Sequence, residues 1–139
     1  MAKSREDSGK WCLRKAEEYL HSAQDNIHAD RLFPAAEEVF RSVESTLEAL
    51  LYSRGIKKIE YPSIGKKFTG CLALQFLIRD NLVRTGVVER AVYDKYLSLA
   101  TEIHMAGYQP NKTFSIEELK NNLRFAEDLL IKAKTIAVR

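Results

Sequence analysis

The segment "AAEEVFRSVESTLEALLYSRGI", residues 35–56, decides the fold. Its apolar residues recur every three or four positions, which predicts an α-helix with one buried stripe. Pro34 fits the first turn of this helix, because the N–H that proline lacks has no helical partner there. Gly55 can adopt the positive φ that ends it. The predicted stripe consists of Ala36, Val39 or Phe40, Val43, Leu47, Leu50 and Leu51.

The same period predicts four more helices. The first runs from about Gly9 to Ala29 with Asp7 or Ser8 as its cap, and the others cover about residues 70–84, 88–105 and 115–137. The third helix is apolar almost all round, so we expect it to be the most enclosed. The predicted core positions of helices 1, 4 and 5 are Cys12, Ala16, Leu20, Ala23 and Ile27; Val92, Tyr96, Leu99 and Ile103; and Leu119, Leu123, Ala126, Leu130, Ala133 and Ala137, flanked by Leu129 and Ile136.

The last helix has the clearest start signal. Ser115 and Glu118 have the spacing of a capping box, and Phe114 and Leu119 occupy the two positions of a hydrophobic staple. Because the connections between the long helices are short, neighbouring helices should be antiparallel. We therefore predict an all-α fold, an up-and-down antiparallel bundle of four main helices plus one shorter helix, in a single domain over residues 1–139.

The composition is that of an ordinary globular chain, with 45% hydrophobic and 29% charged residues. The longest charge-free apolar stretch, residues 68–78, is about half of the roughly 20 residues that a membrane-spanning helix needs. The start "MAKSREDSGK" lacks the apolar region of a secretory signal, so we expect a cytoplasmic protein without membrane contact. Cys12 and Cys71 have no CxxC spacing and are expected to be buried, reduced thiols.

Positive charge is concentrated in the middle of the chain. Residues 54–90 contain eight basic and three acidic residues, a net +5, although the whole chain carries +3 and the remainder therefore −2. Pro62 and Gly65 interrupt any helical period in residues 56–69, which we interpret as a basic loop. Its charge either serves solubility or attracts nucleotide or RNA phosphates, with Tyr61 or Tyr108 stacking on a base. The candidate phosphate contacts are Lys57, Lys58, Lys66, Lys67, Arg79 and Arg84.

Three segments together resemble the HEPN domains of bacteria and archaea, in particular their small stand-alone members. They are residues 35–56, "GCLALQFLIRDNLVRTGVV" at residues 70–88, and "HMAGYQPNKTFSIEEL" at residues 104–119. The resemblance covers about Trp11 to Ile136. It implies a helical bundle that forms homodimers and binds nucleotides or RNA. It also implies a possible role as ribonuclease toxin with a small nucleotidyltransferase as its antitoxin partner.

The resemblance fails at the residues that would carry catalysis. Ribonuclease members place an arginine a few residues before a histidine, so that the imidazole moves a proton while the guanidinium stabilises phosphate charge. No arginine precedes His104 at that distance, where Leu97, Ser98 and Leu99 stand. The stand-alone members have Arg and Asp where this chain has Ile103 and Gly107, and Phe68 replaces a histidine near the start of the third helix. His104 therefore remains a weak catalytic candidate, and a helix-ending or ligand-contacting role is the preferred interpretation.

Helix 1 offers two alternative sites, both of which we discount. Arg14 and His21 have a ribonuclease-like spacing but lie in the wrong helix. Glu18, His21, Asp25 and His28 have the spacing of metal ligands, yet they should lie opposite the buried stripe, on a solvated or dimer-facing surface. We expect no metal and no cofactor.

The sequence therefore predicts a non-catalytic, HEPN-type nucleotide- or RNA-binding module that forms a homodimer and pairs with a nucleotidyltransferase. The residues expected to bind the ligand are Lys57, Lys58, Lys66, Lys67, Arg79, Arg84, His104 and Tyr108. Two alternatives stay open: a divergent, metal-independent ribonuclease that uses His104 or His21, and a bundle that binds another protein.

Overall fold

The chain folds into the predicted helical bundle. The computed structural model describes the backbone of residues 5–63 and 66–137 and the side chains of residues 8–60 and 70–136. In chain order its elements are α1 (Arg5–His28), α2 (Leu32–Ser53), β1 (Glu60–Ser63), β2 (Lys66–Thr69), α3 (Gly70–Ile78), a π-helical turn (Arg79–Val83), α4 (Arg90–Ala106) and α5 (Ile116–Ala137).

Polar contacts between helices fix the directions of α1, α2 and α5. The Ser42 hydroxyl of α2 donates to the Ala16 carbonyl of α1 at 2.8 Å, and the Ser22 hydroxyl donates to Glu38, so α1 and α2 are antiparallel. The Gln24 amide donates to Glu127 at 3.0 Å, while Lys134 pairs with Glu17. Helix α5 is therefore antiparallel to α1 and parallel to α2.

Helix α4 is antiparallel to α2. The rings of Phe40 and Tyr96 stack with their centroids 5.9 Å apart, and Ala36 and Leu99 line the same small cavity. The bundle thus has two distinct ends. The end with the C-terminus of α2, the π-helical turn and the N-terminus of α4 is called the basic end. The opposite end, with the α1–α2 turn, the C-terminus of α4 and the N-terminus of α5, is called the turn end.

The predicted apolar stripes form the core. The α1 and α2 stripes are buried at every predicted position, and so are Tyr96 and Leu99 of α4 and Leu119, Ala126, Leu130 and Ala133 of α5. The expectation that helix 3 is the most enclosed was wrong, because Cys71 and Leu72 are exposed. Helix α2 is the most buried instead, since it packs against α1, α3, α4 and α5.

The helix ends agree with the sequence in part. Gly55 has φ 100°, and the amides of Gly55 and Ile56 donate to Tyr52 and Leu51, the hydrogen bonds of a Schellman motif. The Ser115 hydroxyl accepts from the Glu118 amide at 3.3 Å, as a capping box requires. The predicted caps of helix 1 were wrong, because that helix begins at Arg5 and already includes Asp7 and Ser8.

Two connections differ from the prediction. The segment interpreted as a basic loop contains an antiparallel hairpin in which Tyr61 pairs with Phe68 and Ser63 with Lys66. The third helix was predicted to be regular as far as Arg84, but it widens at Arg79, where the Arg84 amide donates to the Arg79 carbonyl at 3.0 Å. This five-residue spacing defines a π-helical turn.

None of the helices within residues 5–63 and 66–137 combines the length and the apolar character needed to cross a membrane.

Candidate nucleic-acid interface

The basic end holds four of the predicted phosphate contacts, Lys57, Lys58, Arg79 and Arg84. Lys57 and Lys58 follow directly after the Schellman motif of α2 and are exposed. Lys66 and Lys67 belong to β2, where Lys66 pairs with Ser63 and Lys67 with Pro62. Successive residues of a strand lie on opposite faces, so the two lysines occupy different faces of the hairpin. Their side chains lie outside the described part of the chain.

The π-helical turn brings Arg79 and Arg84 together around one carboxylate. Asp80 contacts Arg79 Nε at 2.9 Å and Arg84 Nη1 at 3.3 Å. The guanidinium of Arg79 also lies over the Phe76 ring, 5.0 Å from its centroid. Two positive charges therefore share one negative charge, and the Arg84 side chain remains 68% exposed. The sequence pattern of helix 3 does not indicate Asp80 as the organising residue.

A third arginine lies beside this turn. Arg90, the first residue of α4, pairs with Asp94 at 3.2 Å, and its guanidinium lies over the Tyr93 ring at 5.9 Å. The Tyr93 hydroxyl donates to the Gln75 carbonyl at 3.2 Å, which ties α4 to α3. Burial raises the pKa of Tyr93, so the phenol keeps its proton near neutral pH.

The charged residues of the basic end thus fall into two groups. Arg79, Arg84 and Arg90 each have a carboxylate partner. Among the side chains that the structure describes, Lys57 and Lys58 form no ion pair and project into solvent. Opening a surface ion pair costs little free energy, but a lysine that has no ion pair can bind a phosphate without opening one. The lysines are therefore the stronger phosphate candidates.

His104 and Tyr108 do not join this surface. They lie at the turn end, where their rings meet edge to face with centroids 4.9 Å apart. Fourteen residues of α4 separate Arg90 from His104, about 21 Å along the axis at roughly 1.5 Å per residue. The predicted site therefore divides into a basic surface and a separate His104–Tyr108 pair. His104 is exposed, and Tyr108 is 76% exposed.

The two candidate histidines lie on different helices, His21 on α1 and His104 on α4. In the described part of the chain, the Tyr108 ring is the contact of His104, and no arginine lies against it. Arg14 and His21 are both exposed on α1, two turns apart. Glu18, Asp25 and His28 are exposed as well, so the orientation predicted for them, away from the buried stripe, is confirmed.

Sequence reasoning missed a partly buried polar cluster between α2, α3 and α4. The Glu44 carboxylate accepts a hydrogen bond from the Tyr96 hydroxyl at 3.1 Å, lies 3.8 Å from the Cys71 sulfur and pairs with Arg41 at 3.2 Å. Burial raises the pKa of Tyr96, and Glu44 adds to the increase. Burial and then Glu44 also raise the pKa of Cys71, so its exposed thiol is a weak nucleophile at neutral pH.

A second cluster joins α1 to α2. Both cysteines are free, and Cys12 is buried as predicted, whereas Cys71 is exposed, contrary to the prediction. Burial first, and then the Glu48 carboxylate, raise the pKa of Cys12 from 9.0 to about 11. Burial likewise raises the pKa of Glu48. The sequence signal for this pair is Glu48 itself, an acidic residue one helical turn after Glu44 and among the buried positions Leu47, Ala49 and Leu50.

The raised pKa of Cys12 predicts a loss of stability in alkali. Above pH 9 the thiol of the unfolded chain ionises while the folded chain keeps its proton up to about pH 11, so the folded state binds more protons. The contribution of Cys12 to the free energy of unfolding therefore falls as pH rises, by about 2–3 kcal/mol between pH 9 and about pH 11. Urea unfolding at pH 9 and pH 11 should show that the free energy of unfolding of the native protein falls by this amount relative to that of Cys12→Ala.

The control for this measurement is Ser45→Ala, which alters a buried α2 side chain that does not titrate. Its difference from the native protein should stay constant with pH. A native-minus-Cys12→Ala difference that is equally constant would contradict the assigned pKa.

Comparisons of the chain with protein-family models, with characterised proteins and with solved structures found no match.

Proposed function

We propose that this chain is a non-catalytic binding module that holds the phosphate backbone of single-stranded RNA at its basic end. The observation that carries the proposal is the pair of exposed lysines, Lys57 and Lys58, which have no ion-pair partner among the described side chains. They belong to the 37-residue segment 54–90 with net charge +5. Neutralising phosphates with such side chains releases counterions, which drives binding.

The hairpin supports a single-stranded ligand. Its register places Tyr61 directly opposite Phe68, and directly paired residues share one face of a ribbon. Lys66 lies on this face too, since it is two residues from Phe68. Aromatic residues beside cations are typical of surfaces that stack unpaired bases while tracking the backbone. The resemblance to HEPN domains points to the same class of ligand, and the homodimer and the nucleotidyltransferase partner stay predictions.

The non-catalytic assignment rests on the separation of the charges from the imidazole. A general base must lie within hydrogen-bond reach of the proton it removes. His104 is about 21 Å along α4 from Arg90, far beyond that reach for RNA held at the basic end. RNA bound there should therefore be recovered intact.

The direct test is the salt dependence of RNA binding. Fluorescence anisotropy with a labelled single-stranded oligoribonucleotide gives the slope of log affinity against log salt. Changing Lys57, Lys58 and Lys66 together to Gln should weaken binding and reduce the magnitude of that slope by about 2, at roughly 0.7 for each lost phosphate contact on a single strand.

The matched control replaces Arg14, Arg124 and Lys132 with Gln. These residues are exposed on α1 and α5, and the substitution removes the same number of charges outside the segment 54–90. The control should keep nearly the native slope. Equal losses in the two triple variants, or no binding by the native protein at low salt, would refute the proposal.

Asp80 provides a test in the opposite direction. Asp80→Asn removes the carboxylate that pairs with Arg79 and Arg84, so the exposed Arg84 guanidinium becomes available to phosphate. RNA affinity at low salt should rise several-fold and the slope should steepen by up to about 1. The control Asp128→Asn makes the same charge change on the exposed side of α5 and should leave the slope unchanged. Weaker binding by Asp80→Asn would show that the arginines need Asp80 in order to act.

A further inference from the structure

A groove at the turn end lies between the last turns of α1 and the first turns of α5. Its volume is about 280 Å³, and it is lined by Gln24, Ile27, His28, Ile116, Lys120 and Leu123. It forms where the last turns of α1 meet the first turns of α5, beyond the contact of Gln24 with Glu127. The groove is at the opposite end of the bundle from the RNA surface, so it is independent of the proposed function.

The lining of the groove has an apolar part and a cationic part. Ile27 is buried, Leu123 is half-buried, and Ile116 keeps 42% of its surface exposed. His28 and Lys120 are exposed beside these apolar side chains. An isoleucine exposed to this extent next to a concave apolar surface is available to cover an apolar ligand.

His28 and Lys120, the polar residues at the edge of the groove, each have an acidic residue near them in the sequence. Asp25 and Glu117 each precede one of them by three residues, a spacing that permits contact on a helix. Within the described part of the chain, however, neither His28 nor Lys120 forms an ion pair. Glu127 accepts a hydrogen bond from the Gln24 amide at 3.0 Å. The positive charge of Lys120 is therefore free to bind an external anion.

We propose that this groove binds a small amphiphilic carboxylate. The alkyl part would lie against Ile27, Ile116 and Leu123, and the carboxylate would bind Lys120, with His28 as a hydrogen-bond donor. The volume is just below the roughly 300–1,000 Å³ of pockets for drug-sized ligands, which limits the occupant to a short chain. Charge complementarity selects the carboxylate over an amine or a neutral chain of the same length.

The three histidines allow a direct test by NMR. The side-chain resonances of His28 should shift saturably on titration with octanoate, while those of His21, on α1, and His104, on α4, stay in place. The series butyrate, hexanoate and octanoate should bind about fourfold more tightly for each added pair of methylenes, because an open groove buries only about half of each one.

Two comparisons distinguish the contribution of charge to octanoate binding from the contribution of apolar contact. Octylammonium should not shift the His28 resonances. Lys120→Gln should weaken octanoate binding at least threefold, whereas Lys132→Gln, a matched charge change on the exposed side of α5, should not. Ile116→Ser should reduce the gain in affinity that each added pair of methylenes gives. Native RNA binding by Lys120→Gln would confirm that the two surfaces are separate.

Three results would overturn the proposal. They are an unchanged His28 resonance at saturating octanoate, equal binding of octanoate and octylammonium, and equal effects of octanoate on all three histidines. Because none of these measurements involves RNA, failure here is distinguishable from failure of the RNA-binding proposal.

Discussion

The packing of α2 against four other helices is the constraint on which the rest of this structure depends. Its leucines and valines pack against four other helices, and Leu47, Leu51 and Val43 are fully buried. Such a helix must satisfy its polar side chains internally, because an unpaired buried hydroxyl costs about 1–3 kcal/mol. Ser42 donates to the Ala16 carbonyl of α1, and Thr46 donates to the Ser42 carbonyl.

The central position of α2 also determines where chemistry can occur. The bundle interior is filled by side chains, and the cavity between α2, α4 and α5 has room for no more than a water molecule, with a volume of about 10 Å³. The partly buried acids have neighbours that hold them in place: Glu44 accepts a hydrogen bond from Tyr96 of α4, and Glu48 accepts one from Tyr52 beside Lys15 of α1. The two candidate sites accordingly lie at the ends of the bundle, where connections and helix termini leave side chains exposed.

The sequence predicted the features that depend on local periodicity and local caps. The stripes of α1 and α2, the stop at Gly55 and the capping box at Ser115 all follow from spacing along one helix, and the structure confirms them. Asp30 escaped prediction because its φ of 60° is adopted by few residues other than glycine, although it ends α1 as Gly55 ends α2. The exposure of Cys71 and Leu72 was missed because composition cannot tell which sides of an apolar helix its neighbours cover.

The candidate site was predicted less completely, since it depends on contacts between distant residues. The excess of positive charge is visible in the sequence, but its division between paired arginines and exposed lysines depends on the π-helical turn, which places Asp80 against both Arg79 and Arg84. The distance of His104 from this surface follows only from the direction of α4. The spacing of apolar residues indicates which residues form a helix, but it does not indicate in which direction that helix runs through the bundle.

The account makes one central claim, that a single-stranded polyanion binds at the basic end of the bundle. Titrating ¹⁵N-labelled protein with a short single-stranded oligoribonucleotide, and following each backbone amide, tests this most directly. The predicted shifts are confined to the basic end, centred on residues 54–70 and 79–90, with the turn end of the bundle, including the His104–Tyr108 pair, unaffected. Shifts centred on His104 and Tyr108, or on the exposed sides of α1 and α5, would contradict this claim.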